Sequence, residues 1–484
     1  MISVNRIKID ELDAAMGRLR ASATFDAGSL ATLEHFICTA EDAQLYHMNP
    51  LVLADELGLT KAQATEMFLQ GGKIGLFTLH WGLVCPQCGD VVQSVNALGK
   101  VGSHIDCRIC NLTVEADLDD CVAVTFNVAD TIIPNRFSNP ELLSIEDYLS
   151  HHRFIHAGLT VDGNPYQKVF AQFLRAADFV EPNITKEYSV NLDAGWLRLF
   201  DYLAEDGLTL KINGEPSLIC QSIEVELGSG SPRVNHLNLS PGPALLRIKT
   251  DSRRRPFTVN NFPTTWTLPA RVKQPMLTGK MLLNNATFRE LYGSDVIESA
   301  AGLRIKDLTF LFTDLKGSTE LYEKVGDMRA FQLVHDHFQA LSTSIASNQG
   351  TIVKTIGDAV MATFLTPIDA VNAAVDMLGA IADFNRTLGR EEIILKIGIH
   401  TGAAIAVTQN DRLDYFGQTV NVAARVQALA NADEICITEE VADSDSVGSV
   451  INTLGASTEQ ARIKGISDLV RVYRLKPLAS RRAA

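Results

Sequence analysis

The fold class predicted is a multidomain chain: a helical module, a four-cysteine zinc ribbon and a β-sandwich-like module, followed by a C-terminal α+β domain. Three observations predict it. Apolar residues recur at helical spacing up to about residue 80, and two CxxC pairs follow. Short β-like runs broken by turn residues then give way, after about residue 306, to strands alternating with helices. A length of 484 residues suits about three domains of ordinary size, and 46% hydrophobic with 21% charged residues is the balance of a soluble, core-forming protein.

The net charge of −14, from 43 basic and 57 acidic residues, argues against a broad nucleic-acid or anionic-membrane surface. The start, MISVNRIKIDELDAAMGRL, is charged throughout and lacks the apolar stretch of a signal peptide. No run reaches the ~18 apolar residues of a membrane span, so a cytoplasmic protein without a membrane partner is expected. Of eight cysteines, Cys38, Cys121, Cys220 and Cys436 are scattered in mostly apolar settings and are expected to be reduced core thiols, with no disulfide framework.

Residues 1–80 form the helical module. Ser29–Thr39 and Asn49–Gly58 carry apolar residues at helical spacing, and Leu53–Phe77 has the cadence of two helices around a tight turn, with Thr60 as N-cap. That cadence also suits a winged helix-turn-helix. A plain interaction module is preferred, because the second helix offers only Lys61 as a base near its start. Residues 81–120 hold CPQC (Cys85, Cys88), an 18-residue spacer and CRIC (Cys107, Cys110). Four thiolates in two knuckles at this spacing suit tetrahedral Zn²⁺ with no open position, hence a structural metal. His104 reads as a bystander.

Residues 121–280 contain VAVTFNV, LTLKI, SIEVEL, ALLRIK and FTVNN among Pro- and Gly-rich turns, which predicts an antiparallel sandwich or partly open barrel. Arg253-Arg254-Arg255 reads as a solvated turn. Nothing in this region points to chemistry, so it is expected to be a sensor, scaffold or partner-binding unit. Residues 281–305 form a helical connector, with a bend at Ala300-Ala301-Gly302.

Residues 306–477 carry the chemistry. In LTFLFTDLKGST (Leu308–Thr319) a buried strand ends on Asp314 and turns into a helix at Gly317, Ser318 and Thr319. A carboxylate at a strand end suits a divalent cation, and the N–H groups of the helix start suit the phosphates that accompany it. Helices are expected at Met328–Ser347, Pro367–Leu388 and Thr419–Leu429, and a strand at Ile393–His400. Thr351–Phe364 reads as a hairpin folded at Gly357-Asp358, which would present the Asp358 carboxylate at its tip. Two such carboxylates in one sheet would serve a two-metal site.

FTDLKGST, KTIGDAVMATF, GIHTG and DYFGQTVNVAARV, in this order and spacing, resemble the catalytic domain of class III nucleotidyl cyclases. The region before them resembles an uncharacterised domain found upstream of such cyclases, zinc knuckles included. The resemblance implies a ferredoxin-like α+β catalytic domain. It makes Asp314 and Asp358 ligands of two Mg²⁺ or Mn²⁺, and Lys354 and Asp414 the readers of the purine. Lys and Asp at those positions imply ATP over GTP. Asn421 and Arg425, on one helix face, would orient the ribose and stabilise the transition state. Gly317, Ser318, Thr319 and Lys464 would receive the terminal phosphates. Ala403 departs from family members that carry a phosphate-contacting Arg there.

The implied reaction is in-line attack of the ribose 3′-hydroxyl on the α-phosphorus, releasing cyclic AMP and pyrophosphate: a phosphorus–oxygen lyase, adenylate cyclase. Because the family divides its site residues between subunits and this chain has both sets, a homodimer follows. Regulation by the N-terminal region is expected, through a ligand or protein that the sequence does not name. The alternatives are a cyclase for another nucleotide, a silent nucleotide-sensing protein, and a transcription factor, against which the acidic balance weighs.

Overall fold

The computed structural model describes residues 7–477 except 23, 111, 155–158, 162–163, 229, 236–237, 268, 271, 294–302, 318–322, 324, 389–392, 410–411, 465 and 467–468. It divides into two compact units, residues 1–96, 101–116 and 120–277, and residues 97–100, 117–119 and 278–484. The connector bend at 300–302 lies outside the described residues.

In the first unit the helices Ile9–Ala21, Ala27–Thr39, Pro50–Glu56 and Lys61–Lys73 precede a three-stranded sheet. Thr60 caps the last helix in a reciprocal pair with Gln63, two orphan donors satisfied at once. The strand Phe77–Val84 lies between Val91–Val95 and Val122–Val128, and the whole of Val122–Val128 is buried, which explains an apolar run without alternation.

Further along, two four-stranded sheets pack face to face. One is ordered Asp206–Ile212, Gly195–Asp201, Arg255–Pro263, Leu174–Val180; the other Gly230–Val234, Gln221–Gly228, Gly242–Thr250, Thr185–Leu192. Leu197, Leu199, Ile223, Val225, Leu246, Phe257 and Val259 fill the space between them. The sandwich is antiparallel apart from one parallel pair, Gln221–Gly228 with Gly242–Thr250.

Two expectations about single residues fail here. Cys38 and Cys220 are exposed, whereas Cys121 and Cys436 are buried. Cys38 lies near the end of its helix outside the buried stripe Leu30, Leu33, Phe36, Ile37, so its neighbours in sequence are not its neighbours in space. The arginine triplet is a solvated turn only in part: Arg253 is exposed in a bend and Arg254 is half-buried. Arg255 begins a strand whose first five residues are all buried, and it is itself fully buried against Asp201 and Asp251.

The second unit is a mixed α+β sheet of eight strands. Its order is Thr351–Ile356, Ala359–Phe364, Leu303–Leu315, Leu395–Gln409, Glu434–Thr438, Leu469–Leu475 and Ser457–Arg462, with Arg412–Phe416 pairing off Leu395–Gln409. The expected strand at Ile393–His400 is thus a 15-residue strand that bends at Gly402 and forms one arm of the following hairpin. The helices Asp327–Ser347 and Pro367–Leu388 cover one face, over Leu311, Phe364, Ile397 and Ile435. Gln418–Leu429 packs a second, smaller core with Val422 and Val426 on Cys436 and Val472. No helix among the described residues is long and apolar enough to cross a membrane.

Candidate active site

The Asp314 strand is buried along most of its length and antiparallel on both sides, so its end is fixed relative to its neighbours. Asp314 lies opposite Lys396. The next two strands form the hairpin whose turn is Gly357-Asp358, and Gly357 takes φ +63°, a conformation that a side chain would strain. Thr313 Oγ1 accepts a hydrogen bond from Val360 N–H at 3.0 Å, which pins this hairpin beside the end of the Asp314 strand.

Asp314 feels the charge of Asp358. Burial, and then the Asp358 charge, raise the Asp314 pKa above the ordinary value, while Lys396 and Gln427 oppose the shift. Asp358 Oδ2 is buried and has no hydrogen bond among the described residues.

Beneath them sits His337, a residue that the sequence reading passed over. It is fully buried on the helix Asp327–Ser347. Its Nδ1 lies 2.6 Å from the Val334 carbonyl, and its Nε2 has no hydrogen bond among the described residues. Burial lowers its pKa, while the carbonyl of Val334 and the charge and backbone of Asp358 pull it back up. The signal was available: a lone His on the apolar stripe Ala330, Leu333, Val334, Leu341, Ile345. Gln427 was missed for the opposite reason. It reaches Asp314 only because Gly398 lets the helix Gln418–Leu429 come close; a Cβ there would stand 2.1 Å from Gln427 N.

Lys354 and Asp414, 60 positions apart, form an ion pair, Nζ to Oδ2 at 2.5 Å. Asp414 is nearly buried, and its Oδ1 accepts from the Tyr415 N–H at 2.8 Å. Lys354 stands on the edge strand with 42% of its side chain exposed. Asn421 and Arg425 occupy one face of Gln418–Leu429, Asn421 exposed and Arg425 half-buried. Lys464 is exposed in a turn, and Gly317 takes φ +73°. Ser318 and Thr319 lie outside the described residues. Around the Lys354–Asp414 pair, Ile356 and Phe416 are 51% and 68% exposed, large apolar side chains with little cover.

In the first unit the Sγ atoms of Cys85, Cys88, Cys107 and Cys110 all lie within 4.8 Å of one another, Cys88 and Cys107 at 3.6 Å. Zn–S bonds of about 2.3 Å in a tetrahedron set S···S edges of about 3.8 Å, so the spacing suits a thiolate-bound metal. Mutual hydrogen bonding splits the four thiols, Cys85 and Cys107 becoming more acidic and Cys88 and Cys110 less.

Comparison with known proteins matches the chain in two stretches. Residues 9–290 match the model of a family of unknown function (DUF5939), and residues 302–475 match the adenylate and guanylate cyclase catalytic domain. An adenylate cyclase of Anabaena cylindrica is 30% identical over 35% of this chain and 36% of its own length. Adenylate cyclase 2 of Rhizobium meliloti (strain 1021) is 32% identical over 29% of this chain and 43% of its own. The chain therefore spans less than half of either relative. The crystal structure of the adenylyl cyclase CyaB from P. aeruginosa is 27% identical over 36% of this chain and 95% of that one, with a TM-score of 0.31.

Proposed function

Because the chain belongs, through residues 9–290, to a family of unknown function and carries an adenylate/guanylate cyclase catalytic domain at 302–475, we propose that it is an adenylate cyclase. It would form cyclic AMP and pyrophosphate from ATP as a homodimer regulated by its N-terminal region. What supports this reading is the Thr313–Val360 hydrogen bond that sets the Asp358 hairpin beside the end of the Asp314 strand, with the Asp358 charge raising the Asp314 pKa. A buried carboxylate oxygen without a hydrogen bond beside a second carboxyl is a donor set that hard divalent cations satisfy. Two Mg²⁺ or Mn²⁺ bound there would supply charge neutralisation and activation of the attacking hydroxyl.

This chain's own residues supply positioning. Lys354 donates to a ring nitrogen of adenine and Asp414 accepts from its amino group, while the pair they already form holds both in register. Asn421 orients the ribose, and Arg425 offers a permanently charged, planar guanidinium to the phosphorus as charge builds on it. Lys464 and the turn at Gly317 hold the pyrophosphate. The exposure of Ile356 and Phe416 beside the purine readers supports a second copy docking on this face. The Cys85, Cys88, Cys107 and Cys110 cluster would hold one structural Zn²⁺, closed by its four protein ligands.

The test is cyclic AMP production from ATP with Mg²⁺ or Mn²⁺, run beside GTP, CTP and UTP. Asp314→Ala and Asp358→Ala are each expected to lower it by about 10³-fold or more, a loss of several kcal/mol of charge stabilisation. Unchanged turnover in either variant refutes the metal assignment.

A further inference from the structure

The connector touches both strands that carry the purine readers. Its two short helices, Gly279–Leu283 and Ala286–Tyr292, are braced by Asn285, whose side chain caps the second, and by stacking of Phe288 on Tyr292 at 5.2 Å. The Thr351 hydroxyl, at the start of the Lys354 strand, donates to the Asn284 carbonyl, and Asn284 Nδ2 reaches Gln349 O at 3.4 Å. At the other strand the Tyr415 hydroxyl donates to Leu283 O at 3.4 Å.

Arg289 adds a hold next to Asp414 itself. Its Nη2 donates to Leu413 O at 2.8 Å, and its guanidinium lies 5.8 Å from the Tyr415 ring centroid. Leu413 and Tyr415 are the two neighbours of Asp414. Side chains alternate along a strand, so the Tyr415 ring and the Asp414 carboxylate leave on opposite faces. Arg289 therefore backs the strand from the side away from the carboxylate, without touching it. Its Nη1 is buried and has no hydrogen bond among the described residues. A half-buried arginine with one nitrogen left unbonded, held by one carbonyl and one ring, is a poor device for stability alone.

We infer that Arg289 is a positioning residue for base recognition. By holding Leu413 and Tyr415 it fixes where Asp414 meets the nucleotide, and so sets ATP affinity and ATP-over-GTP selectivity. The residue stands on the segment through which the chain passes from residues 1–277 into the catalytic domain, so a shift of that segment would be felt first at the base and not at the metal carboxylates. This rests on the purine-reading roles proposed for Lys354 and Asp414.

The experiment uses the full chain with ATP and GTP in Mn²⁺, reading kcat and KM separately, with a melting temperature for each variant. Arg289→Met keeps the stem and removes the donors. Expected are a KM for ATP about 10-fold higher, kcat changed by less than about twofold, and an ATP/GTP ratio of kcat/KM about 10-fold lower, the scale of a small misplacement of a recognising group. Arg289→Lys, which retains a donor for Leu413 O, should recover part of the ratio, and it decides the matter if Arg289→Met does not fold. In an Asp414→Asn background, Arg289→Met should no longer alter the ratio. Equal losses on ATP and GTP, or a lower melting temperature with an unchanged ratio, overturn the inference while leaving the purine readers in place. An Asp414→Asn variant with the ratio of the unaltered protein overturns the reader assignment and this inference with it.

Discussion

Two places in the molecule, one in each unit, treat buried charge in opposite ways. In the first, Arg255 and Asp201 are both fully buried and hydrogen-bonded at 2.9 Å, with Asp251 taking the other two nitrogens at 2.9 and 2.7 Å. Arg153 meets Asp90 with two nitrogens, each at 2.8 Å, beneath the face of Tyr202. In the second, beside Asp314, the buried Oδ2 of Asp358 stands without a hydrogen bond among the described residues, and the Asp358 charge raises the Asp314 pKa. Burying a charge is costly unless it is paired, so the first arrangement stabilises a fold and the second sacrifices stability. An unsatisfied carboxylate oxygen beside a second carboxyl is the arrangement that the proposed metal ions would complete.

Exchanging the two treatments gives the largest expected effect. Arg255→Met leaves Asp201 buried and unpaired and should cost about 3–5 kcal/mol in urea unfolding of the first unit, the usual result of breaking one side of a buried pair. Asp314→Asn removes a carboxylate that repels Asp358, and the melting temperature should hold or rise, by about 1–3 °C, while cyclase activity is lost. Equal destabilisation by both substitutions would erase the distinction between the two places.

His337 sharpens the contrast at a smaller scale. His337→Phe keeps a planar ring and removes both nitrogens, so stability should fall only by the cost of one extra ring atom in the core, about 1–3 kcal/mol. The Mn²⁺ concentration for half-maximal activity should rise about 10-fold, as is usual when support behind a metal carboxylate is removed. His337→Gln, with a donor near the Nε2 position, should restore part of it. A large fall in stability with an unchanged metal requirement would reduce His337 to a core residue.

What the sequence disclosed follows the range of the forces involved. The helix Pro367–Leu388 has the bounds its spacing predicts, and the Gly357-Asp358 tip sits where turn chemistry puts it, because both depend on nearby residues. The Lys354–Asp414 pair joins strands 60 positions apart, and no local pattern announces it; only family resemblance placed both at one base. Arg255 misled for the same reason. Beside Arg253 and Arg254 it reads as surface, yet its partner Asp201 is 54 positions away. Gln427 depends on the absence of a side chain at Gly398, a close approach between helix and strand that spacing does not encode.

The mildest test concerns acid. Hydrogen bonds from Arg255 hold the Asp251 pKa down to about 2, against an ordinary 3.8. A carboxyl depressed in the folded state contributes stability above its unfolded value and loses it as pH falls through the folded one. The unaltered protein should therefore be more stable than Asp251→Asn at pH 5, with the difference closing between about pH 4 and pH 2. Asp314, raised by burial and by Asp358, has the opposite sign. Its ionisation opposes folding, so the advantage of Asp314→Asn should be greatest at neutral pH and fade as acid protonates the carboxyl. Urea midpoints of both variants against pH would show two curves of opposite slope. Parallel curves would mean that Asp251 and Asp314 are equally well paired, and the contrast between these two places would be lost.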